Sequence, residues 1–246
     1  LQQEDWKLTR QDLMQQLRIG IPVGFQNSIL AIGTTVVQVV LNQLGANAVA
    51  AYTAAGKIEA IASSNIVAYD NSIATYTAQN YGAREIERIQ RGVHQCRWIA
   101  LPGAVLLSGI VILAGRPLIE LFVGSGQEEV MELALTYLRI SSTCYVVSQL
   151  AVLHRGTLQG LGKTIFPTIA GAIELGMRIF AALILARLFG FTGVCFANCS
   201  AWIAACIFVL IAYAAVMRNL CWNMQIGKNA VLLLPEKSCD TMQGNS

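Results

Sequence analysis

Six full charges stand inside apolar segments long enough to cross a bilayer: Lys57, Glu59, Asp70, Arg139, Glu174 and Arg178. Near a bilayer centre a charge costs at least ~2.5 kcal/mol on insertion scales, so each should face a protein interior or a water-filled path and find a partner there. Glu174 and Arg178 form the local pair, because a four-residue step places both on one helix face. Counted from Thr164 at about 1.5 Å per residue, Glu174 lies roughly 15 Å deep, near the middle of a ~30 Å core. Both are expected to face a cavity, either as a static ion pair that pins the helix or as groups that titrate. Lys57 and Glu59 lie two residues apart and diverge on a helix, so each needs a partner from another helix or from water. Arg139 is a candidate for one of them, and these three residues either line a cavity or hold helices together. Asp70 lies closer to the inner face, where it joins the charge path or serves as a solvated or cap-forming acid.

The segments that must position these charges are read from long apolar runs. Of the 246 residues, 55% are hydrophobic and 13% charged, a balance far from that of a soluble domain. Runs of about 20 residues predict six spans: Ile19 to Gln43, Ala48 to about Ala74, Trp98 to Gly115, Val130 to Val152, Thr164 to Ala186, and Thr192 to Met217. The second is the weakest, diluted by Lys57, Glu59 and the Ser63-Ser64-Asn65 run. Basic residues test it. With a cytoplasmic N-terminus, six spans divide them 12 inside to 2 outside, the inside set including Arg84, Arg88, Arg91, Arg97, Arg155 and Lys163, and the outside pair being Arg116 and Arg187. Omitting the second span degrades the split to 10 to 5. Six spans with both ends inside is therefore the expectation. So biased a distribution also argues against a small transporter that inserts in both orientations. A net charge of +3 is too small to imply nucleic acid.

Residues 1–18 are a polar lead-in, read as a cytosolic connector or an interfacial helix, with no signal peptide at its start. Residues 218–246 are expected to form a mobile cytosolic tail. The seven cysteines lie mostly in or beside spans and are expected to be reduced, packed thiols. Cys195 and Cys199 are one turn apart, yet no second thiol pair or histidine completes a metal site. Gly160-Leu161-Gly162-Lys163-Thr164 mimics the end of a phosphate-binding loop, but that motif needs glycine where Thr157 stands. The two histidines, His94 and His154, fall near expected cytoplasmic ends, and no catalytic constellation is legible. Neither an enzyme nor a bound cofactor is expected.

Several motifs in register resemble the C-terminal half of a multidrug and toxic compound extrusion (MATE) family transporter. Leu17-Arg18-Ile19-Gly20-Ile21-Pro22-Val23-Gly24 resembles that half's opening. Leu44-Gly45 with Ala50-Ala51-Tyr52 resembles its outer turn, and Ala78-Gln79-Asn80-Tyr81-Gly82-Ala83 before an Arg-rich stretch resembles its inner turn. Tyr137-Leu138-Arg139-Ile140, Leu158-Gln159-Gly160-Leu161-Gly162-Lys163-Thr164 and Glu174-Leu175-Gly176-Met177-Arg178 continue the order, over about 200 residues.

The resemblance implies an all-α membrane protein whose residues 19–217 make one six-helix lobe of a two-lobed exporter, with 1–18 as the linker between lobes. It further implies a substrate cavity between the lobes, coupling to H⁺ or Na⁺, amphipathic or cationic drugs as substrates, a missing N-terminal lobe as partner, and a place in the cell (inner) membrane. Members that coordinate sodium in this half often carry acids on its first and fourth helices. Here the first offers Gln26, Asn27, Gln38, Asn42 and Gln43, and the fourth Ser148 and Gln149, so a sodium site of that type is not expected in this lobe. Gln26 and Asn27 remain candidates for the substrate or ion path. Gln79, Asn80 and Gln159 are expected to hydrogen-bond backbone in tight turns. Tyr52, Tyr69, Tyr76, Tyr145 and Trp202 either stack on planar cationic drugs or serve as packing and interface anchors. Secondary-active drug efflux is the function these residues favour; a structural or channel-like six-helix protein is the alternative, though no potassium-filter sequence is present.

Overall fold

The computed structural model describes residues 10–124 and 126–232. Among them the chain forms α1 (Arg10–Leu44), α2 (Ala46–Gly82), α3 (Ile86–Val123), α4 (Glu128–Thr143), α5 (Tyr145–Gly160), α6 (Ile165–Phe180), α7 (Ala186–Phe189) and α8 (Phe191–Leu232), with a π-helical turn at Ala181–Leu185. Cys144 is a one-residue break between α4 and α5, and the π-helical turn carries α6 into α7. The result is six rods joined by short turns: α1, α2, α3, α4–α5, α6–α7 and α8. The single chain break in the fourth rod and the altered hydrogen bonding in the fifth are places where a membrane helix can bend.

Four of the rods are long and apolar enough, by length and composition, to cross a membrane: Gln16–Leu44, Ile86–Val123, Ile165–Phe189 and Phe191–Trp222. The remaining two carry Lys57, Glu59 and Asp70 on α2 and Arg139 and Arg155 on α4–α5, so the charges dilute the very rods that hold them. The rods also outrun the predicted spans. Arg10 already begins α1, so most of the polar lead-in's second half is helix, and α8 continues past Met217 to Leu232 where a mobile tail was expected. Backbone hydrogen bonding does not stop where hydropathy does, and α1 runs through Pro22 without ending. Residues 1–9 and 233–246, which include Cys239 and most of the expected tail's end, lie outside the described residues.

Turns at one end of the bundle use glycine where the backbone turns left-handed: Gly45 (φ 103°), Gly124 (φ 78°) and Gly190 (φ 57°). At the opposite end α2 and α5 close alike. Glu85 N–H donates to Asn80 C=O at 2.9 Å with Arg84 at φ 62°, and Lys163 N–H donates to Leu158 C=O at 2.9 Å with Gly162 at φ 72°. This six-to-one closure explains the glycines of the phosphate-loop look-alike: Gly162 ends a helix.

Small residues set the closest approach. Gly156 and Gly160, four apart on α5, lie flat on α2: a Cβ on Gly156 would stand 2.8 Å from the Asp70 carbonyl oxygen, and one on Gly160 would meet the Ala74 carbonyl oxygen and Thr77 Cβ at 2.7 Å or less. Spacing of this kind lets membrane helices pack backbone to backbone. Around that seam one apolar core joins α2, α3, α4 and α8 through Ala55, Val111, Leu138 and Cys195, a second joins α2, α3, α5 and α8 through Ile73, Ile89, Leu158 and Val209, and a third joins α1 and α8 to the π-helical turn through Leu41, Ala182 and Val194.

Candidate functional site

Ionisable groups from three rods, α2, α4–α5 and α6–α7, converge in the interior. Glu174 on α6 receives two guanidinium groups, one on each carboxylate oxygen. Arg155 of α5 donates from Nη2 to Oε1, and Arg178, one turn along α6, places Nη2 3.9 Å from Oε2. All three side chains are at least nine-tenths buried. The predicted Glu174–Arg178 pair therefore exists, but as the longer arm of a triad. Arg155 is the closer partner, and it does not lie in a cytosolic segment as its place after Val152 suggested; the helix runs on to Gly160 and carries Arg155 into the protein. His154 corrects in the same way: it is buried, its Nδ1 2.8 Å from the Leu150 carbonyl, its ring edge-on to Tyr213.

Asp70 extends the triad toward α2. Half-buried, it lies against Gly156, its Oδ1 has no hydrogen-bond partner among the described residues, and the charge of Arg155 acts on it. Standing in the middle of α2, it is not a helix cap. The glycine beside Arg155 is what admits it, since any side chain at 156 would occupy the space of its carboxylate.

A second polar centre sits between α2, α4 and α8. Glu59 is buried and accepts a hydrogen bond from the Tyr137 hydroxyl, which in turn accepts one from Asn198 Nδ2 at 3.0 Å. The hydroxyl's donor and acceptor capacities are both used, so the Asn198–Tyr137–Glu59 chain has a fixed direction. Tyr52 packs edge-on to Tyr137 with ring centroids 4.8 Å apart, so it is wall here, and Tyr145 and Trp202 pack beside it. Arg178 connects the two centres electrostatically, because its charge acts on Glu59 and Tyr52 as well as on Glu174. Gly33 of α1 makes room for it: a Cβ there would stand 3.2 Å from Arg178 Cδ.

Other candidates separate from this path. Arg139 is exposed and pairs with neither Lys57 nor Glu59 among the described residues. Lys57 is also exposed, with Nζ 5.5 Å from the centroid of the Phe122 ring, so its long stem carries the charge toward the end of α3. The two-residue step from Lys57 to Glu59 does send them to different faces, as the helical period requires. Gln26 is buried and accepts from Gln159 Nε2 at 3.4 Å, tying α1 to α5, while Asn27 faces outward. Gln159 thus bonds a side chain where a backbone partner was expected, whereas Asn80 does bond backbone, donating to the Tyr76 carbonyl at 2.7 Å. No group of three metal-ligating side chains occurs among the described residues.

Five buried or half-buried ionisable groups, three acids and two arginines, thus stand inside a bundle of long, largely apolar rods. The chain belongs to the MatE family, whose profile matches residues 22–184. Among named relatives it is 22% identical over 183 residues to the "Probable multidrug resistance protein YoeA" of Bacillus subtilis (strain 168), covering 74% of this chain and 39% of that protein. It is 27% identical over 165 residues to the "Probable multidrug resistance protein NorM" of Aromatoleum aromaticum, covering 67% of this chain and 35% of the relative. A solved structure described as MATE in the bent conformation superposes with a TM-score of 0.82 at 19% identity, over 91% of this chain and 50% of that one. The chain thus spans well under half the length of the two named relatives and half of the solved structure, and its fold corresponds to one lobe of the solved transporters.

Proposed function

We propose that this chain is the C-terminal lobe of a two-lobed exporter that moves amphipathic or cationic drugs out of the cell, driven by an inward cation flux. One observation carries the proposal: the lobe that covers half of a solved MATE structure holds an interior charge path, from Asp70 through Arg155, Glu174 and Arg178 to Glu59. Static cores rarely keep unbalanced charge. Three acids against two arginines leave one negative charge when all are ionised, and a single proton makes the interior neutral.

That balance favours H⁺ as the coupling ion. Glu59 is the acid for it, because its direct partner is a neutral tyrosine, while both oxygens of Glu174 are taken by guanidinium groups. Sodium would need several oxygen ligands around Glu59, whereas a proton needs only the carboxylate. Protonating Glu59 removes the charge that strengthens the Tyr137 hydrogen bond and turns one carboxylate oxygen into a donor, which weakens the Asn198–Tyr137–Glu59 chain and loosens the junction of α2, α4 and α8. Substrate would bind between this lobe and its N-terminal counterpart, near the bilayer midplane, as is general for carriers built from repeats.

Drug accumulation in an efflux-deficient host tests this. Residues 1–246 alone should leave accumulation unchanged; with a matching N-terminal lobe, accumulation of a cationic dye should fall. Resistance conferred by the chain alone would show that the lobe is a complete transporter, and no export with any matching lobe would return the buried charges to a structural role.

A further inference from the structure

The one-residue break between α4 and α5 is fastened by a side chain from another rod. At Cys144 the backbone N–H turns to the Ser141 carbonyl at 3.0 Å, and the Ile140 carbonyl, one turn back, accepts from the Thr143 hydroxyl at 2.7 Å and from the Cys199 thiol of α8 at 3.4 Å. The Cys144 and Cys199 thiols face each other there within hydrogen-bonding reach, although they come from segments far apart in sequence. Cys199 is buried and Cys144 half-buried, so a small uncharged molecule can reach the second without entering the core. Cys144 is also the N-cap residue of α5, with the Thr143 Oγ1 3.9 Å from its sulfur. The N-terminal end of a helix is a place where cysteine sulfur reacts readily as a nucleophile.

We propose that Cys144 and Cys199 are an oxidation site, joined into a disulfide by a hydroperoxide such as hydrogen peroxide. The Cys144 thiolate attacks one peroxide oxygen and the O–O bond breaks; the other oxygen takes up the proton that the thiol released and leaves as water, so Cys144 becomes a sulfenic acid. The Cys199 sulfur then attacks the Cys144 sulfur, the S–O bond breaks, and the hydroxyl leaves with the Cys199 proton as a second water. Two thiols have lost two electrons and two protons, and the peroxide has been reduced to water. Cys195, fully buried and one turn from Cys199 on the same rod, could join to Cys199 without fastening anything. The Cys144–Cys199 bond instead ties the α4–α5 break to α8. Asn198, next to Cys199, carries the hydrogen bond to Tyr137 and through it to Glu59, so the tie falls on the junction that proton uptake at Glu59 has to loosen. Oxidation therefore arrests export; this consequence rests on the proposed function, whereas the disulfide itself does not.

Peptide mass spectrometry of the detergent-solubilised chain, treated with hydrogen peroxide and then alkylated with N-ethylmaleimide in denaturant, reads the bond directly. A Cys144–Cys199 cross-link should form, disappear with dithiothreitol, persist in Cys195→Ser, and be lost in Cys144→Ser and in Cys199→Ser. Cys144→Ser changes only a half-buried side chain, so it keeps the test open if Cys199→Ser fails to fold. Sulfinic acid at Cys144 with Cys199 still alkylated, or a Cys144–Cys195 cross-link of equal yield, overturns the site. In proteoliposomes holding this lobe with a matching N-terminal lobe, peroxide should abolish export of a cationic dye and dithiothreitol should restore it, while Cys144→Ser should export equally before and after peroxide. Export undiminished once the cross-link is complete overturns the arrest. Absence of export before any peroxide counts against the proposed function and not against the dithiol, which stands or falls on the cross-link.

Discussion

Replacing Glu174 by Gln should destabilise this lobe more than removing either of its arginines. The carboxylate holds two buried guanidinium groups, so Glu174→Gln strands both, and breaking a buried pair by removing one partner costs about 3–5 kcal/mol. Arg155→Met leaves Glu174 with the 3.9 Å contact of Arg178 alone and should cost about 3 kcal/mol, the low end of that range. Arg178→Met keeps the closer Arg155 contact and gives up only a 3.9 Å ion contact, so it should cost less than Arg155→Met. Exchanging Glu174 and Arg155 together for Leu and Met should recover most of the loss, because neither charge is left without its main partner. Denaturant unfolding in mixed micelles, followed by tryptophan fluorescence, gives the four values. A cost for Arg178→Met equal to or above that for Arg155→Met would refute the triad and restore the simple four-residue pair. A double variant as unstable as Glu174→Gln would show that the surroundings need the charges themselves.

Tyr137→Phe should remove the hydroxyl that serves both Glu59 and Asn198, costing about 1–3 kcal/mol on the same assay, and Glu59→Gln combined with it should cost less than the sum. Gly160→Leu drives a side chain into the α2 backbone, so folded yield by size-exclusion chromatography should collapse, whereas Gly176→Leu, with open space at its Cβ, should leave it near wild type. Arg84→Gly should raise the unfolding free energy by about 1 kcal/mol, because Arg84 holds a left-handed backbone that glycine adopts without a Cβ penalty. Single cysteines at Arg84 and Arg91, in a background free of native ones, should resist a membrane-impermeant thiol reagent in intact cells; ready labelling would reverse the proposed orientation.

Much of the architecture is legible in hydropathy: each predicted span falls on one observed rod to within a residue, and the weakest of them, on α2, is weak because it carries Lys57, Glu59 and Asp70. Four of the five charges of the path, Glu59, Asp70, Glu174 and Arg178, are legible as charges inside apolar runs, and the last two also sit at a local helical spacing. The rest is set by packing between distant segments. Glu59 meets Tyr137 across 78 positions, which no local period announces. Arg155 was hidden because the apolar run fades at Val152 while the helix does not. Two signals did mark it: Ala151, Arg155 and Leu158 continue the buried stripe of α5, and the flanking Gly156 and Gly160 have the spacing of a close helix contact. Arg139 misled for the opposite reason, because a charge within an apolar run can face outward on a rod whose other face is buried.

Proton movement during transport tests the central proposal most directly. In proteoliposomes holding this lobe with a matching N-terminal lobe, an imposed outward-directed drug gradient should drive protons the opposite way, read by a trapped pH dye, and Glu59→Gln should abolish that proton signal while leaving drug binding measurable. Drug-driven proton flux that is undiminished in Glu59→Gln, or drug exchange that follows a sodium gradient and ignores pH, would contradict it.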